Sequence, residues 1–419
     1  MSDDHSIERP PEERFNLTRL GLVPFGILIA GVVLTLGSFV LWAFDVVHFA
    51  YAWLWAFMFL FTLCSGCMFW TLLHHAVDAN WSVVVRRLME HAFSLFPFLA
   101  VAFLPLAITI GTGDLLKWWE ADPTQDPVLA AKTWYLNYPF FWLRVVFYFG
   151  FFILCGYFLR KWSISQDQSG DPQHSIRMRR LAYGGIIGFS LALTFSAVDW
   201  VMGLNEHWFS TMWGVYIFAG SAGASLAFII LVTQGLQSAG YLQKVVTEEH
   251  YHLMGKLLFA FTVFWAYIAF SQYMLYYYAN IPEETIWFQH RNTGTWYHAS
   301  LFLVFGRFFL PFLLLLTQPA KKNPIRLGVA AGWILLMHLY DLYWMIMPEY
   351  QIRQAHEAGV HDYVYADFLN VDLAALLIEL IPVLGLTCLA AFFFLQRLPG
   401  HSLFPVRDPR LYESITLKN

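Results

Sequence analysis

Read only for apolar and polar positions, the chain is a succession of ten long apolar runs, at 22–44, 50–75, 92–112, 136–160, 182–203, 211–236, 254–279, 299–318, 326–347 and 372–396. A helix crosses a bilayer core with about 20 such residues. None of the runs alternates polar and apolar positions as a membrane-spanning strand would. The pattern predicts an all-α integral membrane protein with ten transmembrane helices. The polar segments between the runs are short, leaving no room for an extramembrane catalytic domain or a nucleic-acid-binding module.

Composition agrees. Of the 419 residues 58% are hydrophobic, 19% aromatic and only 13% charged, about half the charge of a typical soluble protein. The N-terminal stretch SDDHSIERPPEER is acidic and Pro-rich and lacks the features of a cleaved signal peptide, so the first run is expected to remain as a span. Cys64, Cys67, Cys155 and Cys388 all fall inside apolar runs and read as small packing residues, despite the redox-like spacing of the first two.

The distribution of cations sets orientation. Nineteen of the 25 Lys and Arg, among them Arg9, Arg86, Arg87, Arg160, Lys161 and Arg397, fall on one side of the ten-span topology, and four fall on the other. Cytoplasmic loops carry the excess of positive charge, so both termini are expected in the cytoplasm. The resulting division is a cytoplasmic segment 1–21, five spans over 22–203, an outer hinge 204–210, four spans over 211–347, an outer loop 348–371, a tenth span 372–396 and a cytoplasmic tail 397–419. Trp200, Trp208 and Trp213 flank the hinge and are expected as anchors at the membrane surface. The longer outer loops, rich in Trp and Tyr, are expected to dock a partner.

An ionisable group inside a span costs roughly 2.5–3.5 kcal/mol on insertion scales, so each needs a reason to be there. The spans carry Arg144, Asp199, Arg307, His338, Asp341 and Glu379. His338 and Asp341 are three apart and share a helix face, with Tyr340 beside them in sequence. Oppositely charged groups at one depth either pair to hold helices in register or carry protons. Asp199, His338, Asp341 and Glu379 are therefore candidate proton-path residues, with Arg144 and Arg307 as pairing or charge-tuning groups. A second cluster, His74, His75, Asp78, Glu90 and His91, lies at the cytoplasmic ends of the second and third spans. There His74 and His75 join the proton-path candidates, since histidine titrates near neutral pH. Ser221, Ser225, Thr262, Ser271 and Gln272 are candidates to link the two zones. Facing deep histidines for a bis-His haem, a cysteine set for an iron–sulfur cluster and a phosphate-cradling Gly loop are not found. The chain is expected to hold no metal and no redox cofactor of its own.

Four stretches carry a family resemblance: Asp199–Thr211, Gly255–Thr285 (GKLLFAFTVFWAYIAFSQYMLYYYANIPEET), Trp81–Arg87 (WSVVVRR) and Asp341–Pro348 (DLYWMIMP). Together they resemble the F subunit of alternative complex III, a bacterial quinol:electron-acceptor oxidoreductase. That subunit belongs to the NrfD/polysulfide-reductase membrane-subunit superfamily. The resemblance implies two four-helix bundles, spans two to five and six to nine, with spans one and ten peripheral. It also implies the bacterial inner membrane, and as partners a multihaem cytochrome c, an iron–sulfur subunit, a monohaem cytochrome c and a homologous membrane subunit that oxidises quinol. The c-type haems and iron–sulfur clusters belong to those partners. This chain would support the complex and conduct protons. Two places depart from the family pattern: the hinge reads MGLNEHWFST where MSLEPHWFST is expected, and Arg307 stands where a His is expected. A permanent cation cannot release a proton as His does, so Arg307 reads as a fixed charge. Two other readings compete. One is quinol binding by this chain at His338, Tyr340 and Asp341. The other is a secondary transporter, disfavoured by the scarcity of Gly-Pro breaks at mid-depth.

Overall fold

The computed structural model describes residues 10–119, 121–360, 365 and 368–418. Arg9, counted above among the basic residues, lies outside them. Every element among the described residues is helical. Ten helices are long and apolar enough to cross a membrane: α1 (Val23–Phe44), α2 (Val46–Ala76), α3 (Val83–Gly111), α4 (Tyr138–Ser169), α5 (Gln173–Leu204), α6 (Trp213–Ser238), α7 (Glu248–Ala279), α8 (Trp296–Leu315), α9 (Pro324–Glu357) and α10 (Leu373–Gly400). The chain is thus an all-α, multi-pass integral membrane protein. Glu13 and Leu403, which flank the first and last spans, lie on one side, where the Leu403 amide donates to the Glu13 carbonyl at 2.8 Å. This is called the basic side below, and the opposite face the far side.

The ten helices match the ten apolar runs, but several extend beyond them. α3 begins nine residues before 92, α4 continues to Ser169, and α9 runs through the boundary drawn at 347 to Glu357. Hydropathy stops at the first charged residues, whereas backbone hydrogen bonding continues past the bilayer until a cap or a breaker intervenes. Caps fix several starts: the side chains of Asp45, Asn137, Asn323 and Asp372 accept amide hydrogen bonds at the first turns of α2, α4, α9 and α10. α3 is broken into three segments, with Pro97 and Pro105 at the start of the second and third.

α2 and α6 form the centre. Of the apolar window of α2, 89% is buried, against 11% for α1. α2 packs on α3, α5, α6, α9 and α10, and α6 packs on α2, α5, α7 and α9. The α2–α6 crossing is close: a Cβ on Gly66 would stand 2.2 Å from the Ser221 carbonyl oxygen, the small-residue packing by which membrane helices approach. α2–α5 and α6–α9 form two groups that meet along α2 and α6. α1 and α10 pair outside them, and Gly31 and Gly385 make room for Leu389 and Thr35 respectively.

The hinge is not a free loop, and its tryptophans are not surface anchors. Trp200, Trp208 and Trp213 are all buried. Trp200 packs among Phe57, Phe61, Phe103 and Tyr148, and Trp213 donates its indole N–H to the Ala197 carbonyl at 3.2 Å. Trp208 stacks on Trp287 of the far-side helix Pro282–Arg291, with ring centroids 4.5 Å apart. His207 pairs with Asp126 at 2.7 Å, and Lys132 donates to the Glu206 carbonyl at 2.5 Å. The far-side loops therefore cover the hinge. Sequence position alone could not show this, because the loop contacts of Trp208, His207 and Glu206 join segments 70 or more residues apart.

Candidate functional site: buried charge clusters

The intramembrane charges fall into three separate groups, each with its own partner. In the first, Arg144 of α4 grips Asp199 of α5 with both arms: Nε donates to Oδ2 at 2.8 Å and Nη2 to Oδ1 at 2.9 Å. Tyr148, one turn after Arg144, donates its hydroxyl to Asp199 Oδ2 at 2.5 Å. Arg144 Nη1 donates to the Tyr135 carbonyl at 2.9 Å, and its guanidinium lies over the Tyr135 ring at 3.8 Å. Both carboxylate oxygens are taken up by donors on α4. Such a fork-on-fork pair is geometrically closed.

The second group lies in the α6–α9 half and is arranged differently. Arg307 sits on a π-turn, Phe305–Phe309, within α8, the kind of bulge that often re-aims a functional side chain. Its Nε is 3.4 Å from Asp341 Oδ2 without a hydrogen bond, and Nη2 donates to His338 Nδ1 at 3.1 Å. Asp341, 1% exposed, instead accepts from neutral donors: the Tyr216 hydroxyl at 2.6 Å and the Trp265 indole at 3.1 Å. Thr62 of α2 faces His338 Nε2 at 2.8 Å and gives its own hydroxyl proton to the Met58 or Phe59 carbonyl. These roles fix His338 as the neutral tautomer with its proton on Nε2. Among the described residues, Arg307 Nε and Nη1 have no acceptor. Gly220 of α6 lines the same space. A Cβ there would stand 3.1 Å from Arg307 Nη2.

The third group pairs Glu379 of α10 with His48 of α2, Oε1 to Nε2 at 2.9 Å. Glu379 is 2% exposed, and its second oxygen has no hydrogen bond among the described residues. His48 stacks on Tyr350 at 4.6 Å, and Tyr350 donates to Asp45 at 3.2 Å. Asp372, on the same helix face as Glu379, caps α10 and contributes no charge at depth.

The candidate set therefore divides. The structure brings Arg144 to Asp199, and Arg307 to both His338 and Asp341, but Glu379 meets neither arginine. Tyr340 does not join His338 and Asp341: its hydroxyl donates to the Ala299 carbonyl at 3.0 Å. Residue 340 follows 338 by two, and residues two apart do not face each other on a helix. Sequence reasoning missed His48, which falls in the turn before the predicted second span. It also missed Tyr148, Tyr216, Trp265 and Thr62. Only Tyr148 carried a local signal, being four residues from Arg144.

On the basic side, His74 and His75 open a buried polar network. Arg86 Nη1 donates to His74 Nε2 at 2.8 Å, so the proton of His74 sits on Nδ1, facing Ser82 Oγ at 2.6 Å. His75 stands edge-on to His74 with centroids 4.8 Å apart. Arg86 also pairs with Asp408 of the C-terminal tail at 2.8 Å and with Glu90 at 3.3 Å. Arg87 pairs with Glu90 at 3.4 Å and with Asp167 at 2.5 Å. Burial raises the Asp408 carboxyl, but the charge and hydrogen bond of Arg86 and the Arg410 amide together outweigh it and hold the group below its ordinary range. Asp78 turns outward to Arg179 and Arg410.

Between these zones the hydroxyls among the described residues do not form a chain. Ser65, Thr71, Ser221, Ser225 and Thr262 each donate to a carbonyl of their own helix, and Gln272 accepts from Ser210 on the far side. Thr62 and His74 are twelve residues apart on α2, roughly 18 Å along the axis.

Two cavities line the basic half. One of about 530 Å³ between α2, α3, α6 and α10 is almost wholly apolar, walled by residues such as Phe59, Leu63, Phe228 and Phe394. The other, of about 430 Å³, lies between α3, α4 and the end of α10. Neither is lined by His338, Tyr340 or Asp341. Among the described residues no group of three or more His, Cys, Asp or Glu could hold a metal ion. Compared with known families and with curated proteins, the chain matches no family model and no curated sequence.

Proposed function

We propose that this chain is a membrane subunit of a quinol:electron-acceptor oxidoreductase of the alternative complex III type, in the bacterial inner membrane with both termini cytoplasmic. Its partners are a multihaem cytochrome c, an iron–sulfur subunit, a monohaem cytochrome c and a homologous membrane subunit that oxidises the quinol. The chain holds no redox centre and carries protons through Asp341. The four motif stretches support the assignment to the complex. The observation that carries the proton role is the contrast between the two buried Arg–Asp pairs. Asp199 is saturated by Arg144 and Tyr148, an arrangement that locks helices together. Asp341 is held by neutral donors, with Arg307 near but unbonded and keeping two N–H groups without an acceptor. A nearby cation that is not locked to the acid favours its ionised form while leaving it able to accept a proton. Glu379 with His48 is the second carrier.

Quinol binding at His338 is the weaker reading, because both ring nitrogens are engaged and the ring is buried. The test is reconstitution of the purified assembly into liposomes, with proton movement per electron measured for wild type and Asp341→Asn. The expected result is lowered stoichiometry with intact assembly. Unchanged stoichiometry would remove the proton role. Purification of the chain from native membranes without haem-bearing partners would remove the assignment to the complex.

A further inference from the structure

The 430 Å³ cleft between α3, α4 and α10 has three cations at its rim, Arg160, Lys161 and Arg397. None of the three makes an ion pair among the described residues; Arg160 donates only to His91 Nδ1, at 2.9 Å, and Lys161 lies 5.5 Å over the Tyr157 ring. Among the described residues no carboxylate lines the cleft. Most buried cations in this chain do meet an acid: Arg86, Arg87, Arg144, Arg291 and Arg307 each have one within 3.4 Å. The rim cations, half-buried or exposed, meet none among the described residues, and the buried Lys321 likewise donates only to the Leu315 and Leu316 carbonyls.

Depth gives the three cations a common level. Arg160 and Lys161 lie 22 and 23 residues from the far end of α4, and Arg397 lies 24 from the far end of α10. At 1.5 Å per residue these are about 33–36 Å, just past a hydrocarbon core of about 30 Å. Below them the walls turn apolar, with Phe93 and Ile153; Ile153 falls at about 23 Å, within the core. Positive charge at headgroup level above an apolar slot running into the membrane matches one ligand shape. Clustered basic side chains between helices on the cytoplasmic side are the chemistry that recognises lipid phosphates.

We infer that this cleft binds one anionic phospholipid, its phosphate held by Arg160, Lys161 and Arg397 and an acyl chain lying along Phe93 and Ile153. The inference is independent of the proposed role in quinol oxidation. The test uses the full-length chain, stripped of lipid in a neutral detergent. Native mass spectrometry and thermal melting then follow addition of phosphatidylglycerol, phosphatidylcholine or inorganic phosphate. One phosphatidylglycerol is expected to be retained and to raise the melting temperature, with phosphatidylcholine bound more weakly. The double variant K161E/R397E is expected to weaken phosphatidylglycerol retention roughly thirty-fold, whereas the double variant K244E/K256E, which changes the same charge elsewhere on that side, is expected to leave it unchanged. Ile153→Trp, which fills the apolar slot and keeps the cations, is expected to abolish retention and serves if the charge variant does not fold. Equal retention of the two lipids, undiminished retention in both cleft variants, or a melting shift reproduced by inorganic phosphate alone would each overturn the assignment.

Discussion

Gly220 faces His338 so closely that a Cβ on it would stand 3.1 Å from the imidazole Cε1 and 3.2 Å from Nδ1. The absence of a side chain on α6 is therefore what admits the α8 arginine and the α9 histidine to the same space. Gly220→Ala is expected to push His338 or Arg307 off its present contact, at a cost of about 1–3 kcal/mol for overpacking. Thermal melting of the purified variant checks this. A melting temperature equal to that of wild type would show that the cluster yields without strain.

The two Arg–Asp pairs predict different penalties. Removing the charge of Asp199 strands Arg144 in a closed, buried site, and such a loss typically costs about 3–5 kcal/mol. Asp341→Asn leaves Arg307 with its bond to His338 and is expected to cost less. Comparing the melting temperatures of Asp199→Asn and Asp341→Asn orders the two. If the Asp341 variant melts lower, the distinction between a locked and an open pair fails. Replacing Arg144 and Asp199 together by apolar residues is expected to restore most of the stability lost in the single variant.

His48 and Glu379 join α2 to the peripheral α10 through one hydrogen-bonded pair at 2.9 Å. A double-mutant cycle with His48→Phe and Glu379→Gln is expected to give a coupling of about 1.5–3 kcal/mol, as for hydrogen bonds involving a charged group. Additive single effects, with no coupling, would mean that the contact contributes nothing to holding α10.

Asp408 ties the C-terminal tail to Arg86, and its carboxyl lies below the ordinary value in the folded chain. A carboxylate with a depressed folded value adds stability above the unfolded value, near pH 4, and loses it as pH falls through the folded value. The tail is therefore expected to stay docked at neutral pH and detach below about pH 4. Asp408→Asn is expected to detach at neutral pH. Fluorescence of a probe placed on Lys418 reads the transition. A tail that stays docked in the asparagine variant at all pH values would exclude the Arg86 contact as its anchor.

How much of this was legible in the sequence depends on the range of the interaction. The ten helices were, because about 20 consecutive apolar residues leave the backbone no other way to satisfy its hydrogen bonds in lipid. His338 with Asp341 was legible too, since residues three apart share a face. Arg307 was recognisable as a fixed charge at depth. What could not be read was which distant segment meets which. Nothing local tells that His48 turns toward Glu379, that Tyr216 and Trp265 hold Asp341, or that Asp408 of the tail reaches Arg86. Tyr340 was misassigned because adjacency in sequence was given more weight than helical phase. The tryptophans around the hinge were misplaced for a related reason: an aromatic girdle and a covered, packed turn have the same composition.

The pairing of α1 with α10 has a consequence for how the protein is made. α1 leaves the ribosome well before α10, with roughly 330 residues between Phe44 and Leu373. At about 5–20 residues per second, synthesis of that stretch takes on the order of 20–70 s. Throughout that interval α1 must wait in the lipid without the partner whose Gly385 and Leu389 interlock with its Thr35 and Gly31. A nascent chain truncated before α10 would leave α1 without that partner, so the arrival of α10 ends its exposure to lipid along this face.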